Sequence, residues 1–352
     1  MAVGERLKMA RHMAGMSMRA LADKTNVSAT AISKYERDKM TPGSAVLIQL
    51  AQALDVQVAF FLRPVTAELT APAFRRRSSL SVKAQKAILA KTQAWLERYL
   101  DVESFFTDRP TFTMPALDRQ VTTLEDVERV AQALREAWNL GLDPIDNLTE
   151  VLESHGIKVG VIEGTDDFDA LTLWANASEP VIVVKDGIPG DRQRLSLAHE
   201  LGHLIVKPVS ELDEEKAAFR FAGAFLIPRP MARYELGEHR RNLNWHELHL
   251  LKHTYGVSMQ AWIYRARDLD IISEYTARQL WIHFRSQGWH KREPGDQIPQ
   301  EIPGRMKRLV LRALAEDVIS ESRAAELLGQ PLYQFWQEEA EHHEGFPIPV
   351  RG

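Results

Sequence analysis

The sequence predicts a mainly α-helical fold with a small antiparallel β-sheet, an α+β class. Apolar residues recur at helical spacing near the N-terminus and again over residues 195–206 and Glu214–Leu226. Between these regions, three short runs rich in apolar or β-branched residues are separated by turns, at 156–162, 170–174 and 181–184. The pattern therefore predicts an all-α N-terminal domain, followed by a domain in which helices pack around a small sheet.

Composition limits the kinds of site that the chain can hold. Its 352 residues are enough for two or three domains. It contains no cysteine, which excludes disulfide scaffolds, thiolate zinc sites and cysteine nucleophiles. The formal net charge is −4, so any affinity for nucleic acid must come from a local basic patch rather than from the whole chain.

The sequence gives no sign of export or of membrane insertion. The N-terminus lacks the long apolar core of a signal peptide, and no apolar run approaches the length of a membrane span. The lack of cysteine agrees with a reducing compartment. We therefore expect a cytoplasmic protein with no membrane partner.

Residues 1–63 predict five short helices. Leu7 and Ala10 share one face of the first helix, while Ser17 and Ser28 are good N-caps for the second and third. This segment holds nine Lys or Arg residues against five Asp or Glu residues, so it is locally positive.

The same segment resembles helix-turn-helix domains of the XRE type, which include phage repressor and Cro-like domains. Most such domains carry glycine where this chain has Asp38, a residue that also tolerates a left-handed turn. The resemblance implies that Arg11 and Glu36 pair internally. A small helical bundle that binds protein is the alternative. The residues that carry the resemblance are Leu7, Ala10, Arg11, Gly15, Ser17, Leu21, Ala22, Val27, Ser28, Ile32, Ser33, Tyr35, Glu36, Pro42 and Leu54.

The resemblance implies a way of binding double-stranded DNA. The second helix of the motif enters the major groove by its N-terminal end, and a homodimer reads two half-sites of an operator. The side chains expected to face bases or the groove edge are Ser28, Ala29, Thr30, Ser33 and Lys34. The basic side chains expected to contact phosphates are Arg19, Arg37 and Lys39.

We expect four segments along the chain. In order they are the helix-turn-helix domain, a linker with a long helix, the domain that contains the sheet, and a small helical module, at 1–70, 71–123, 124–275 and 276–352. Prolines and the basic run at 75–77 favour a linker over 64–80, and further prolines favour another at 293–303. Ser81 is the expected cap of the long helix. Residues 318–329 have a weak helix-turn-helix pattern, for which we favour a packing or partner-binding module.

The segment from His199 to His203 carries the strongest chemical signal. Residues four apart lie on one face of a helix, so the two histidines present their imidazoles to one point, where they can bind zinc. Glu200 lies beside that point, and in zinc peptidases such a carboxylate is the general base towards the water that zinc activates. Gly202 allows close packing under the site. The alternative is a pair of core histidines held by hydrogen bonds.

A catalytic zinc needs a third protein ligand. The helix that follows presents Glu215 and Phe219 on one face, so Glu215 is placed to point at the metal. Glu214 and Asp213 are competitors. For each of the three, a solvated charge in the first helical turn is the alternative.

These two helices resemble those of the ImmA/IrrE family of zinc metallopeptidases, and the resemblance extends over about residues 124–275. Alignment through Ala222 and Pro228 implies that Glu215 is the third zinc ligand. The family often carries a polar residue at the position of Phe219, where this chain departs from the pattern. The resemblance implies a zincin-like metallopeptidase domain with one Zn²⁺ ion, which cleaves a protein such as a repressor or an antitoxin.

Two functions are compatible with these patterns. The first is a DNA-binding transcriptional regulator whose zinc endopeptidase domain cleaves a repressor, an antitoxin or the chain itself to relieve repression. The second is a non-proteolytic regulator that uses the peptidase-like domain to sense a ligand or partner. The intact Glu200 favours the first, because a purely structural zinc needs no base.

A second histidine cluster invites a metal-site interpretation. His246, His249 and His253 could share one helical face. No carboxylate completes the set as zinc sites prefer, so we favour a solvated or partly packed helix surface.

Overall fold

The computed structural model describes residues 3–70, 80–165, 167–209 and 211–343. The chain divides into two compact units, of which unit 1 comprises Met1–Leu69, Leu80–Pro110 and Pro303–Gly352, and unit 2 comprises Thr70–Ser79 and Thr111–Ile302. The basic run at 75–77, which we predicted to lie in a linker, falls outside the described residues.

The N-terminal elements are α1 (Val3–Met13), α2 (Met18–Lys24), α3 (Ala29–Tyr35), α4 (Ser44–Leu54), a 3-10 helix (Val58–Leu62), β1 (Leu69–Thr70) and α5 (Val82–Glu103). The central elements are β2 (Gln120–Val121), α6 (Leu124–Ala137), α7 (Leu148–Ser154), β3 (Lys158–Ile162), β4 (Ala170–Ala175), β5 (Glu179–Lys185), α8 (Gly190–Ile205), β6 (Lys207–Pro208) and α9 (Glu214–Leu226). The C-terminal elements are α10 (Arg229–Leu236), α11 (Trp245–Tyr255), α12 (Met259–Asp268), α13 (Glu274–Ser286), α14 (Arg305–Ala315), α15 (Glu321–Leu328) and α16 (Leu332–His343). In the part of the chain that the structure describes, no helix combines the length and the apolarity that crossing a membrane requires.

The first helices of unit 1 begin where their caps stand in the sequence. The Ser17 hydroxyl accepts a hydrogen bond from the N–H of Ala20 at 3.0 Å, and the Ser28 hydroxyl accepts one from Ala31 at 3.1 Å. Asp38 has a φ of +50°, the left-handed conformation expected at the position where related domains carry glycine. The core that these helices bury includes Leu7, Ala10, Leu21, Ile32, Leu50, Leu54 and Phe61.

Helix α5 is part of the core of unit 1. The hydroxyl of Ser81 caps it, as predicted, by accepting the N–H of Ala84 at 3.2 Å. The helix packs against α1, α14 and α15. A core cluster formed with the C-terminal helices includes Tyr99, Val102, Val310, Ala324, Leu327 and Phe335. The structure thus places the long helix in unit 1, together with segments near both ends of the chain. Residues 276–302, which we assigned to the C-terminal module, belong to unit 2. The predicted boundaries differ because the helices that bury the apolar face of α5 are distant in sequence.

The sheet of unit 2 is mixed, which corrects the predicted antiparallel arrangement while the α+β class is confirmed. Strand β4 pairs antiparallel with β5, and Ala175 lies opposite Glu179. Strand β3 pairs parallel with β5, and Lys158 lies opposite Val181. Strand β5 therefore lies between the other two, and its apolar run through Val184 is buried, as is typical of a central strand. The apolar runs predicted the strands, but the connection after β3 decides which strands are neighbours.

Helix α8 occupies the centre of unit 2. It packs against β4 and β5 and against α9, and α9 in turn packs against α6. The buried apolar side chains of α8 are Leu197, Ala198, Leu201, Leu204 and Ile205. The histidines of α8 are therefore held where the sheet and α9 meet.

The segment 293–303, predicted as a linker, binds unit 2 through its side chains, and the boundary between the two units falls at its end, between Ile302 and Pro303. The carboxylate of Glu301 accepts the N–H of Thr149 at 2.9 Å, in the first turn of α7. Glu293 forms an ion pair with the fully buried ammonium group of Lys252 at 3.0 Å. The prolines prevent a helix here, but they leave the side chains able to bind the rest of unit 2.

Candidate functional site

Two imidazoles and a carboxylate converge where α8 meets α9. Nε2 of His199 lies 3.1 Å from Nε2 of His203. Oε2 of Glu215 lies 3.2 Å from Nε2 of His199, and Oε1 lies 3.3 Å from Nε2 of His203. Among the described residues, these three form the group of histidine and carboxylate side chains able to hold a metal ion.

The dimensions of this triangle suit zinc. Zinc ligands lie about 2.0–2.1 Å from the ion in a tetrahedral site, so neighbouring donor atoms should be about 3.3 Å apart. The three sides measured here are 3.1, 3.2 and 3.3 Å. Two imidazoles and one carboxylate are also a donor set that zinc uses in catalytic sites, with one position left for water or substrate.

Close packing of α8 on α9 brings the donors together. A Cβ atom at Gly202 would lie 3.1 Å from Cα of Ala218 and 3.2 Å from its carbonyl oxygen. Any larger residue would therefore push the helices apart. His199 and Gly202 are buried in α8, whereas the side chain of Glu215 remains 52 % exposed. The site is therefore exposed to solvent on the side of the Glu215 carboxylate.

The competing acidic residues have other positions. Oδ1 of Asp213 accepts the N–H of Lys216 at 2.8 Å and so caps α9. Glu214 is exposed and does not belong to the group that surrounds the histidines. The structure therefore places Glu215 beside the histidines, and it places neither Asp213 nor Glu214 there.

The carboxylate of Glu200 is held from the sheet. Only 1 % of Glu200 is exposed, and its Oε2 accepts the backbone N–H of Thr172 at 2.9 Å and the hydroxyl of Thr172 at 3.0 Å. Thr172 lies in β4 and is itself buried. We did not predict this residue from the sequence, although a single hydroxyl inside an otherwise apolar strand was an available signal.

A cleft of about 330 Å³ opens beside the histidines. Glu200 and Glu215 both line it. At its edge the ring of Phe219, which is 57 % exposed, lies with its centroid 4.2 Å from that of His199. The guanidinium of Arg192 forms an ion pair with Asp169 at 2.8 Å and also lines the cleft. The residue at which this chain departs from the ImmA/IrrE pattern therefore lies at the opening of the site.

The second histidine cluster is arranged differently. The ring centroids of His249 and His253 are 4.7 Å apart, and His246 and His253 are exposed. Within the described ranges, these histidines do not join a carboxylate in a group able to hold a metal.

The side chains predicted to approach DNA lie at the surface of unit 1. Those that are exposed are Arg19, Ser28, Thr30, Lys34, Arg37 and Lys39, and those that are half-buried are Ala29 and Ser33. The hydroxyl of Ser28 also caps α3. The guanidinium of Arg37 donates to the hydroxyl of Ser33 at 2.8 Å and to its carbonyl oxygen at 2.9 Å. Two of the predicted DNA contacts are thus bonded to each other in the free protein.

Arg11 is held inside the domain. Its guanidinium donates to Oε2 of Glu36 at 2.8 Å and to the carbonyl oxygen of Met16 at 2.8 Å, and both charged residues are buried. The pairing implied by the resemblance is therefore present, and Arg11 is not available to contact DNA.

Comparison with known proteins identifies both regions. Residues 7–61 match the family model described as helix-turn-helix, and residues 152–267 match a peptidase-family model described as an IrrE N-terminal-like domain. The chain thus joins a helix-turn-helix domain, a class that binds DNA, to an IrrE-like domain of a peptidase family. These matches confirm both predicted resemblances.

A curated relative extends the first match. The chain is similar to the HTH-type transcriptional regulator ImmR of Bacillus subtilis (strain 168), with 36 % identity over 62 residues. The similarity covers 18 % of this chain and 49 % of ImmR, so the chain spans about half the length of this relative.

Proposed function

We propose that this protein is a transcriptional regulator with a zinc-dependent endopeptidase centre on α8 and α9. The triangle of donor atoms from His199, His203 and Glu215 carries the proposal. Glu200 lies on α8 with the two histidines and lines the cleft. A structural zinc site has no use for such a carboxylate, whereas peptide hydrolysis needs a general base. The match to a peptidase family supports the same assignment.

The side chains at the proposed site have different roles in peptide hydrolysis. When bound, zinc supplies Lewis acidity to the scissile carbonyl and makes a water molecule more acidic. His199, His203 and Glu215 would hold the ion. Glu200 takes the proton of the attacking water and can pass it to the leaving amine. The bonds from Thr172 to Oε2 orient this carboxylate relative to the cleft.

We infer that the substrate is a protein: a repressor, an antitoxin or this chain itself. The cleft is open to solvent on the side of Glu215 and Phe219, so it can admit an extended segment of a protein. A helix-turn-helix domain in the same chain favours a substrate that takes part in transcription. Cleavage that separates a DNA-binding part from its dimerising part would end repression, because a single half-site holds a repressor weakly.

The helix-turn-helix domain is proposed to bind operator DNA as a homodimer. The N-terminal end of α3 is exposed, and residues 1–63 carry an excess of basic side chains. The similarity to ImmR, a transcriptional regulator, supports this role. Footprinting of the DNA upstream of the gene should show two protected half-sites about one helical turn apart.

The peptidase proposal is tested by incubating the zinc-loaded chain with candidate regulatory proteins and with operator DNA. Mass spectra should reveal fragments of the chain or of a partner, and Glu200→Gln should give none, because an amide cannot accept the proton of the water. The non-proteolytic regulator is correct if the zinc-loaded chain cuts nothing and Glu200→Gln leaves repression and its relief unchanged in cells.

A further inference from the structure

Arginine side chains from four segments line one cavity in unit 1. The cavity has a volume of about 440 Å³. Its arginines are Arg6 of α1, Arg63 after the 3-10 helix, Arg98 of α5 and Arg323 of α15. The carboxylates of Glu97 and Asp101, both in α5, also line it. The lining therefore carries more positive than negative charge.

Three of these four arginines have acidic partners. Arg6 forms an ion pair with Glu97 at 2.5 Å. Arg63 and Arg323 both contact the carboxylate of Glu326. Arg323 also contacts the carboxylate of Asp101. Even with Glu326 included, three carboxylates face four guanidinium groups.

Arg98 carries the excess charge. Its Nε is buried and has no hydrogen-bond partner among the described residues. Burial lowers the pKa of Arg98, and the charge of Arg63 lowers it further. Burial also lowers the pKa of Arg63, followed by the charges of Arg323 and Arg6. Arg98 is half-buried, and a cation whose buried Nε lacks a partner in the part of the chain that the structure describes is unfavourable, so an anion in the cavity would supply what is missing.

We propose that this cavity binds a small organic anion that carries a phosphate or carboxylate group. Guanidinium groups bind such oxyanions through paired hydrogen bonds. Phe60, Ala94 and Leu100 supply apolar lining, which suits the carbon body of an organic molecule. The arginines come from the helix-turn-helix segment, from α5 and from α15. A bound anion would therefore connect the DNA-binding helices to the rest of unit 1, and it needs no peptidase activity to do so.

Calorimetric titration of the full chain tests the proposal. Inorganic phosphate and succinate serve as probes, with chloride at equal ionic strength as the reference. We expect saturable binding of at least one probe, with one site per chain, and the stronger of the two identifies the preferred group. Absence of saturable binding of both probes to the wild type would overturn the proposal.

Two variants assign the site. Arg98→Met should weaken binding at least tenfold, and it should leave the melting temperature in chloride unchanged or higher, since it removes a half-buried charge whose Nε lacks a partner in the described chain. Arg312→Met removes a charge from the exposed face of α14 in the same unit and should bind like the wild type. Wild-type affinity in Arg98→Met, or equal losses in both variants, would contradict the assignment.

Arg63→Gln provides an independent check if Arg98→Met does not fold. Its side chain is 33 % exposed, so the fold should tolerate the change. We expect at least tenfold weaker binding of the preferred probe, and an unchanged affinity would overturn the proposal.

Discussion

The proposed DNA-reading surface and the proposed metal centre use polar side chains in opposite ways. On the first, Lys34 is exposed, and the side chains of Ser33 and Arg37 are hydrogen-bonded to each other. At the proposed metal centre, His199 and Glu200 are buried, and hydrogen bonds from Thr172 of β4 set the position of the Glu200 carboxylate before any ligand arrives. A surface that water can satisfy tolerates change, whereas a buried site does not. Substitutions at the proposed metal centre should therefore have larger effects, on zinc binding or on cleavage, than substitutions on the proposed DNA surface have on DNA binding.

The largest effect should come from Glu200→Gln. The amide keeps the size of the side chain but cannot act as a base, so the cleavage rate should fall by about 10²–10⁴-fold while the zinc content stays the same. The rate of fragment formation and metal analysis measure the two quantities. Glu214→Gln, an exposed change on α9, is the matched control and should cleave normally. Cleavage by Glu200→Gln at the wild-type rate would show that the buried carboxylate is not the base.

Glu215→Ala should cost zinc affinity. Loss of a direct ligand should weaken binding by more than the about 10–100-fold that loss of an outer partner costs. His203→Ala should behave likewise, and both can be measured by competition with a chelator of known affinity. Glu214→Ala and Asp213→Asn should retain zinc. If Glu214→Ala loses the metal and Glu215→Ala keeps it, the third ligand is Glu214.

Thr172→Val should lower kcat by at most about 100-fold, since about 1.4 kcal/mol of transition-state stabilisation is worth a factor of ten. It removes one hydrogen bond to the carboxylate of Glu200 but keeps the backbone bond, and a bond to a charged group is worth about 1.5–3 kcal/mol at most. The KM should change little, and Thr172→Ser should restore kcat. Equal impairment of the serine and valine variants would show that packing, rather than the hydroxyl, explains the effect.

The smallest effects belong to the DNA surface. Arg19→Gln and Lys39→Gln should each reduce the dependence of log affinity on log salt concentration by about one, uniformly across DNA sequences. Lys34→Ala should instead alter sequence preference. Gel shifts over a range of salt concentrations distinguish the two behaviours. Lys307→Gln on α14 is the control, and a slope change as large as that of Lys39→Gln would argue against the assigned surface.

The parts of these sites that were predictable depend on local spacing. Two histidines four residues apart share a helical face whatever surrounds the helix, and the caps at Ser17 and Ser28 act within one turn. Gly202 could be assigned a packing role because a second helix had to approach the first. The pairing of Arg11 with Glu36 followed from a resemblance rather than from spacing.

The sequence by itself determined where the capped helices α2, α3 and α5 begin and which side chains can act as zinc ligands, because helical geometry and capping involve neighbours along the chain. Tertiary structure alone decided that Thr172 reaches Glu200, that Glu301 accepts N–H groups from the first turn of α7, that β3 and β5 run parallel, and that Arg98 shares a cavity with arginines from both ends of the chain. Each of these contacts joins segments far apart in sequence. Such contacts depend on which apolar faces pack against each other, and no local sequence pattern specifies that packing.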